Sequence, residues 1–133
     1  MAKIRCIPVG PRYTPKVLLG IVNETRGMAL ATRVRAATTL TSRMIGLLRT
    51  AALPPGEGLW LSPCTSVHTF FMRYPIDVLF VDKDHRVLAV STLPPWRVSR
   101  WMPKAAGVLE LAAGEAARAQ LRVGDRLAFK ELI

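Results

Sequence analysis

Residues 76–81 of the chain, Ile-Asp-Val-Leu-Phe-Val, lie between Pro75 and the polar stretch 82–86 and are apolar at all but one position. Successive side chains of a β-strand point to opposite faces of a sheet. A run that is apolar at both sets of positions is therefore typical of a strand that is buried on both sides. This feature predicts a fully buried central strand.

Other short apolar runs, rich in β-branched residues and ended by turn-forming residues, predict further strands. Residues 17–22 and 28–34 form a predicted hairpin around 23–27, and the polar residues 82–86 suit a second hairpin loop. The remaining predicted strands are 58–61, 67–73, 87–93, 108–111 and 126–132. The pattern predicts a mainly β protein.

Two segments have helical features. Leu40, Met44, Leu47 and Leu48 recur at helical spacing, which predicts a short amphipathic helix that ends before Pro54. Residues 112–121 are rich in Ala, which favours one or two helical turns.

The length of the chain, 133 residues, fits one domain. Residues 1–16 contain three prolines and a glycine, which interrupt both helices and strand ladders. We expect an extended N-terminal arm over residues 1–16 and a single β-rich domain over residues 17–133.

The net charge of +10 is concentrated in the first third of the chain, where nine Lys or Arg face Glu24 alone. Such a field favours weak association with nucleic acid, an anionic membrane or an acidic partner. The arginines of this segment are dispersed and lack the interleaved aromatic residues of a single-strand-binding surface. Specific nucleic-acid binding is therefore not expected, and a basic subunit that docks on an acidic partner or anionic surface stays an alternative.

No window holds the roughly 18 uninterrupted apolar residues that a membrane-spanning helix needs, and the run 17–22 is too short for a signal peptide. The two cysteines, Cys6 and Cys64, do not suggest a disulfide framework. We expect a soluble, cytoplasmic protein. The oligomeric state is left open.

Several short motifs in order resemble the bacterial and archaeal family known as domain of unknown function 192, over about residues 25–130. They occupy residues 43–48, 53–58, 70–72, 75–77, 80–82, 108–111, 113–114 and 123–127. The resemblance implies a compact antiparallel β sandwich or jelly-roll-like barrel with one or two short helices. It brings no established activity.

The chain departs from the pattern of that family at three positions. Leu48 stands where Met is usual, Phe71 where Trp is common, and His85 where the hairpin often has Gly. The first two changes keep apolar bulk. His is acceptable at the third because a turn residue with positive φ is more often Asn, Asp or His than most other types.

Cys64, His68 and Met72 follow one another at four-residue spacing. On a helix this spacing would assemble a site for zinc or Cu(I), or a Cys-His nucleophile pair. On a strand it would separate them by roughly 13 Å, too far to share an ion. The composition of residues 67–73 favours the strand, so buried structural roles are expected and no cofactor is assigned, although a turn before the strand would leave Cys64 and His68 as candidate metal ligands.

Asp77 interrupts the buried run, so its carboxyl must be paired, protonated or placed in a pocket. We expect a structural role, as a buried ion pair or a backbone-bonded acid near Pro75, with Arg43, His68 and Arg73 as the partners to test. A binding role is the alternative.

Trp60, Trp96 and Trp101, the last two with Arg97 and Arg100 nearby, would line a groove for a sugar, a nucleotide or a peptide. Glu110 would supply an acid there or pair with Asp77 as in a glycosidase. The chain has no phosphate loop, dinucleotide fingerprint or nucleophile elbow.

The leading hypothesis is a non-catalytic binding module for a small polar ligand or a protein segment. Its concave site is predicted to include His68, Met72, Arg73, Asp77 and Trp96. The alternative from another class is an enzyme or metal-binding protein that uses Cys64 with His68, or Asp77 with Glu110.

Overall fold

A computed structural model describes residues 2–5, 18–37 and 53–132 of the chain. Nine strands and one short helix lie in these ranges. They are β1 (Ala2–Arg5), β2 (Leu18–Asn23), β3 (Met28–Ala37), β4 (Glu57–Leu61), β5 (Ser66–His68), β6 (Ile76–Val81), β7 (Val87–Leu93), β8 (Gly107–Ala112), α1 (Glu115–Arg118) and β9 (Leu127–Leu132). The prediction of a mainly β protein is confirmed.

Seven strands form one mixed sheet in the order β7-β6-β8-β4-β3-β2-β9. The predicted hairpins are present as the antiparallel pairs β2/β3 and β6/β7. One pair, β3/β4, is parallel, so the sheet is not antiparallel throughout. β1 and β5 form a separate two-stranded antiparallel sheet.

The central strands β6 and β8 are buried at every position, as the apolar run 76–81 predicts. Because successive residues alternate, each strand contributes to two cores. The inner core includes Leu19, Leu30, Val34, Leu79 and Leu111. The outer core includes Leu61, Val67, Met72, Val78 and Phe80. Strands from distant places in the sheet share the inner core, so the sheet wraps around it.

The two edge strands meet at one end of the sheet. Arg86 and Arg126 form an antiparallel bridge, the N–H of Leu127 donates to the carbonyl of His85 at 2.8 Å, and that of Val87 donates to the carbonyl of Asp125 at 2.9 Å. These bonds join the hairpin before β7 to the start of β9. The sheet is thereby partly closed, which gives it a barrel-like form.

The predicted turn at His85 is present and has the expected backbone. His85 has φ 63°, in the left-handed region. The carboxylate of Asp82 supports the turn by accepting hydrogen bonds from the N–H groups of Asp84 at 2.8 Å and Arg86 at 2.9 Å. A short polar side chain that bonds the backbone two residues on is a common way to fix such a loop.

The Ala-rich segment 112–121 contains the single turn of helix α1, as predicted. The other predicted helix, with Leu40, Met44 and Leu48, lies outside the described residues. Residues 2–5 of the predicted arm form β1, and residues 6–16 also lie outside the described ranges. Within the described ranges, no helix has the length and apolar character needed to cross a membrane.

Candidate functional site

Residues 62–75 and 94–106 cover the outer core on the side away from the inner core. The second segment runs beside β5 and is tied to it by backbone hydrogen bonds. The N–H of Ser99 donates to the carbonyl of Val67 at 2.8 Å, and the N–H of Met102 donates to the carbonyl of Thr65 at 2.9 Å. His68 and Val98 form an antiparallel bridge. The position of the second segment is therefore fixed relative to β5.

The predicted strand 67–73 is wrong beyond His68, because the chain turns there. Thr69 explains the turn. Its carbonyl accepts hydrogen bonds from the N–H groups of Met72 at 3.2 Å and Trp96 at 3.0 Å, and its own N–H donates to Arg97 at 2.8 Å. These bonds serve the turn and the neighbouring segment instead of a continued ladder.

The hydroxyl of Thr69 adds two more bonds to the same junction. It donates to the carbonyl of Pro94 at 2.7 Å and accepts from the N–H of Arg97 at 2.9 Å. Thr69 has no exposed surface. One buried residue thus holds two turns together, the first at residues 70–71 and the second at residues 95–96.

Four rings cluster above this junction, and we call them the aromatic patch: His68, Phe70, Phe71 and Trp96. Ring centroids lie 4.6 Å apart for His68 and Phe70, 5.9 Å for Phe70 and Trp96, and 4.7 Å for Phe71 and Trp96. Phe71 is 64% exposed and Trp96 is 55% exposed. The patch therefore presents ring surface to solvent in a defined arrangement.

Both exposed rings of the patch stand on left-handed backbone, with φ 68° at Phe71 and φ 63° at Trp96. Bulky residues rarely adopt this conformation, because the Cβ atom crowds the carbonyl oxygen. Each instance costs on the order of 1–3 kcal/mol and persists only where the surrounding structure imposes it. The hydrogen bonds of Thr69 supply that constraint.

The ring of His68 is oriented by its own loop. The N–H of Phe70 donates to Nδ1 of His68 at 3.2 Å. Since Nδ1 accepts this bond, the neutral imidazole carries its proton on Nε2.

Three exposed arginines flank the aromatic patch along the chain, and we call them the arginine rim: Arg73, Arg97 and Arg100. Residues 58–76 and 85–109, which contain both the patch and the rim, include no Asp or Glu. Negative charge on a ligand would meet no carboxylate from these segments. The surface suits an anionic ligand that also has an apolar or aromatic part.

The structure brings together some of the predicted site residues and separates others. His68 and Trp96 belong to the aromatic patch, and Arg73 follows Phe71 by two residues at the surface. Met72 is buried in the outer core beneath them. Asp77 lies on the opposite face of β6, because its neighbours Ile76 and Val78 belong to the outer core. The predicted concave site is thus reduced to a surface patch without Met72 and Asp77 at its face.

Asp77 is a backbone-bonding acid, as the structural interpretation expected, but not at Pro75. Its Oδ2 accepts hydrogen bonds from the N–H groups of Gly114 and Ala116, both at 3.0 Å, and its Oδ1 accepts from the hydroxyl of Thr92 at 2.7 Å. The carboxylate therefore fixes the start of α1 on β6 and β7.

Glu110 is fully buried and lies opposite Val78 in the register of β6 and β8, whereas Asp77 lies opposite Leu111. Residues at neighbouring register positions point to opposite faces of a sheet. The two acids consequently face different cores, so the proposed glycosidase-like pair of Asp77 with Glu110 is wrong.

The thiol of Cys64 is completely buried, and its Sγ donates to the carbonyl of Ser66 at 3.1 Å. Within residues 18–37 and 53–132, no three His, Cys, Asp or Glu side chains are grouped to hold a metal ion. The strand argument that separated Cys64, His68 and Met72 no longer applies beyond His68. A role for Cys64 and His68 as metal ligands stays a prediction.

A pocket of about 330 Å³ lies at the hairpin between β6 and β7, away from the predicted site residues. Its lining consists of Asp82, Lys83, Asp84, Leu88, Pro103, Lys104, Ala105 and Ala106. The carboxylate of Asp82 is already bonded to the hairpin backbone. Lys83, Asp84 and Lys104 are the other charged residues of the lining.

A separate polar cluster surrounds Asp125 near the closure of the sheet. Its Oδ2 accepts from Asn23 at 3.0 Å, Arg26 at 3.1 Å and the N–H of Arg122 at 2.9 Å. Burial alone would raise the pKa of this carboxyl, but the hydrogen bonds and the charge of Arg26 outweigh burial and hold the pKa below its ordinary value. The cluster joins β2 to the turn before β9 and serves the fold.

His85 also lies at the closure of the sheet, with its ring 4.4 Å from that of Phe129. Burial is the main reason that its pKa is lowered, and the charge of Arg126 acts in the same direction. Asp82 and Asp84 oppose the shift. The neutral imidazole is therefore favoured where it packs on Phe129.

Comparison with known proteins identifies the family. Residues 21–129 match the model of domain of unknown function 192, which is described as "Uncharacterized ACR". The chain belongs to this family. The resemblance of the sequence motifs is thereby confirmed.

Relatives of this family member occur in archaea. A UPF0127 protein of Pyrococcus horikoshii is 37% identical over 90 residues, covering 64% of this chain and 75% of its own length. A UPF0127 protein of Pyrococcus furiosus is 31% identical over 120 residues, covering 85% of this chain and its own full length. The names of these two relatives do not state an activity.

Solved structures of two bacterial proteins have the same fold as this family member. A provisionally assigned transcription regulator of Sinorhizobium meliloti aligns with a TM-score of 0.69 at 24% identity, over 91% of this chain and 98% of its own. A protein of unknown function from Novosphingobium aromaticivorans aligns with a TM-score of 0.68 at 21% identity, over 90% and 93%. At these identities the likeness is one of fold.

Proposed function

We propose that this protein is a non-catalytic binding module whose site is the aromatic patch with the arginine rim. The ligand has a ring or another flat apolar part together with negative charge. The sequence predicts a small polar ligand or a protein segment, and the proposal restricts this ligand to one that carries negative charge.

One observation carries the proposal. Phe71 and Trp96 are exposed, in ring contact, and both on left-handed backbone. A fold gains nothing by exposing two strained aromatic residues, whereas a binding site gains a preorganised surface that loses little entropy when a ligand binds. The buried Thr69 holds this surface in place.

The positions of the acids and the thiol favour binding over catalysis. Asp77 is engaged in three hydrogen bonds with Thr92 and the start of α1, and Glu110 is fully buried on the outer-core side of β8. Cys64 lies beneath the surface with its thiol bonded to Ser66. Among the described residues, the aromatic patch therefore has His68 as its one titratable side chain.

The test is a ligand-observed NMR screen with nucleotides, phosphorylated sugars, acidic peptides and neutral sugars. We expect anionic, ring-bearing compounds to bind the wild type and to lose binding in both Phe71→Ala and Trp96→Ala. Val123→Ala is the matched control, because Val123 is 65% exposed and lies in the turn before β9.

Two results would refute the proposal. Hits that bind Phe71→Ala and Trp96→Ala as well as the wild type would place the ligand elsewhere. Chemical turnover of a bound hit by the wild type, absent from a control without protein, would replace the binding module with an enzyme.

A further inference from the structure

We infer that the aromatic patch and the arginine rim bind single-stranded nucleic acid without sequence preference. This inference rests on the proposed function and names its ligand class. The sequence argued against specific nucleic-acid recognition in the basic first third, and the inference concerns a different surface and a sequence-tolerant mode.

The exposed rings of the aromatic patch are suited to stacking on bases. Unpaired bases stack on exposed aromatic side chains, and each such contact contributes on the order of 1–3 kcal/mol irrespective of the base. Phe71 and Trp96 both expose more than half of their surface. Trp101, which is 58% exposed, follows Trp96 in the same segment. The protein therefore offers ring surface at more than one point along this segment.

The same surface also carries positive charge. Residues 96–101 read Trp-Arg-Val-Ser-Arg-Trp, and all of them except Ser99 are exposed. Two arginines thus lie between two tryptophans along a single stretch, in the manner of a surface that contacts phosphates and bases together. Arg73 adds a third cation after Phe71. The surrounding segments 58–76 and 85–109 contain no acid to repel phosphate.

The residue types around the patch favour binding without preference for a base sequence. Base edges are read by amide, carboxylate and bidentate arginine contacts at defined positions. Segments 58–76 and 85–109 contain no Asn, Gln, Asp or Glu. Of these base-reading types only arginine is present there, and we assign the arginines to the phosphates, so that the bases are held by stacking, a combination that tolerates any base sequence. Paired bases keep their faces inside the duplex, so the surface selects single strands.

An anionic membrane is the main competing occupant, since aromatic and basic residues also favour membrane interfaces. Insertion into a membrane makes no use of a fixed distance or angle between two rings. The rings of Phe71 and Trp96 are held at 4.7 Å and 57° by strained backbone. A preorganised ring pair favours a ligand with flat rings of its own.

The experiment measures fluorescence anisotropy of a labelled oligothymidylate strand of about 12 nucleotides, within the ~4–16 nucleotides that one small module covers. The same strand annealed to its complement and vesicles of phosphatidylcholine with phosphatidylserine are the other probes. We expect the strand to bind more tightly than the duplex. Trp96→Ala and Phe71→Ala are each expected to weaken strand binding about tenfold, while Val123→Ala does not change it.

The salt dependence tests the arginine rim. Removing one phosphate contact lowers the slope of log K against log salt by about 0.7 for a single strand. Arg97→Gln is expected to show this change. Arg33→Gln removes the same charge from an exposed position on β3 and is expected to keep the wild-type slope.

Three outcomes would overturn the inference. They are no strand binding at low salt, equal binding of strand and duplex, and strand binding that is unchanged in both Trp96→Ala and Phe71→Ala. If the oligothymidylate does not bind, and vesicles bind the wild type but not Trp96→Ala, the surface is a membrane-binding one. If the oligothymidylate does not bind but another anionic, ring-bearing compound binds the aromatic patch, the proposed function stands and only this inference is wrong.

Discussion

The N–H of Arg97 donates a hydrogen bond to the hydroxyl of Thr69 at 2.9 Å, across 28 positions of the chain. The same hydroxyl donates to the carbonyl of Pro94. These contacts join the two turns that present Phe71 and Trp96. The geometry of the patch therefore depends on a residue that is fully buried.

Thr69→Val is expected to lower the free energy of unfolding by about 1–3 kcal/mol, because it removes two part-buried hydrogen bonds, to the N–H of Arg97 and the carbonyl of Pro94. It is also expected to weaken ligand binding at the aromatic patch. Urea denaturation measures the first effect, and the NMR screen measures the second. Thr69→Ser keeps the hydroxyl and is the control. Equal stability of the Val and Ser variants would show that the hydroxyl does not hold the turns.

Strain at Phe71 can be isolated by comparing two substitutions at that position. Phe71→Gly is expected to be more stable than Phe71→Ala by about 1 kcal/mol, because Gly adopts left-handed backbone without a Cβ clash. Val98 is the control, since its bridge to His68 places it in extended backbone. Val98→Gly should be less stable than Val98→Ala by about 0.5–1 kcal/mol. The same order at both positions would contradict the assignment of strain to Phe71.

Asp77→Ala is expected to destabilise the protein by about 2–3 kcal/mol, because the N–H groups of Gly114 and Ala116 lose a charged acceptor. Thr92→Val removes only the third bond and is expected to cost about 1 kcal/mol. Thermal and urea denaturation give both values. If Asp77→Ala cost no more than Thr92→Val, the bonds to the start of α1 would contribute nothing measurable.

Gly107 allows a close approach of a ring to the backbone. A Cβ atom added at Gly107 would lie 2.6 Å from Cζ2 of Trp60 and 2.8 Å from the carbonyl oxygen of Leu61. Gly107→Ala is expected to lower stability by about 1–3 kcal/mol through overpacking. Gly20→Ala is the control, because the new Cβ would lie 3.7 Å from Leu132, an ordinary contact. A Gly107→Ala protein as stable as Gly20→Ala would mean that Trp60 moves freely.

The pKa of His85 is lowered in the folded protein, mainly by burial and then by the charge of Arg126. Between its folded pKa and the ordinary value of 6.5, the unfolded chain binds more protons than the folded one. Stability from this group is therefore complete above pH 6.5 and falls as the pH drops through that window. Urea denaturation across this range should show the fall in the wild type. His85→Asn suits the left-handed turn and should remove the part of the pH dependence that comes from His85. If the pH profile of that variant were unchanged, the pH dependence would come from another group.

Local patterns were sufficient for the parts of the fold that depend on local chemistry. Residues 76–81 are apolar on both faces, and β6 is buried on both. The polar loop with His85 has the positive φ that its residue type permits. In both cases the responsible residues are neighbours in the chain, so the sequence contains the evidence.

The aromatic patch was predictable only in part. Trp96 and the arginines beside it suggested a groove for a nucleotide, a sugar or a peptide. The turn at Phe71 was missed because residues 67–73 have strand composition and because the bonds that end the strand reach across 25 and 28 positions. Phe70 and Phe71 are followed by Met72 and not by polar turn residues, so the local sequence does not predict a turn there.

The partners of Asp77 were missed for the same reason. The sequence suggested Arg43, His68 and Arg73 as partners to test. The described hydrogen bonds instead reach Thr92 on the next strand and the backbone 37 and 39 positions later. Such partners depend on strand register and on where α1 packs, and neither can be read from residue types alone.

The pairing of β2 with β9 has a consequence for biosynthesis. Leu18 lies opposite Leu132, and Asn23 lies opposite Leu127. While a ribosome is still producing the chain, the hairpin of β2 and β3 has an open edge until residues 127–132 have left the exit tunnel. An exposed edge of this kind can pair with other chains. We therefore expect the nascent protein to be prone to aggregation until β9 has emerged and paired with β2.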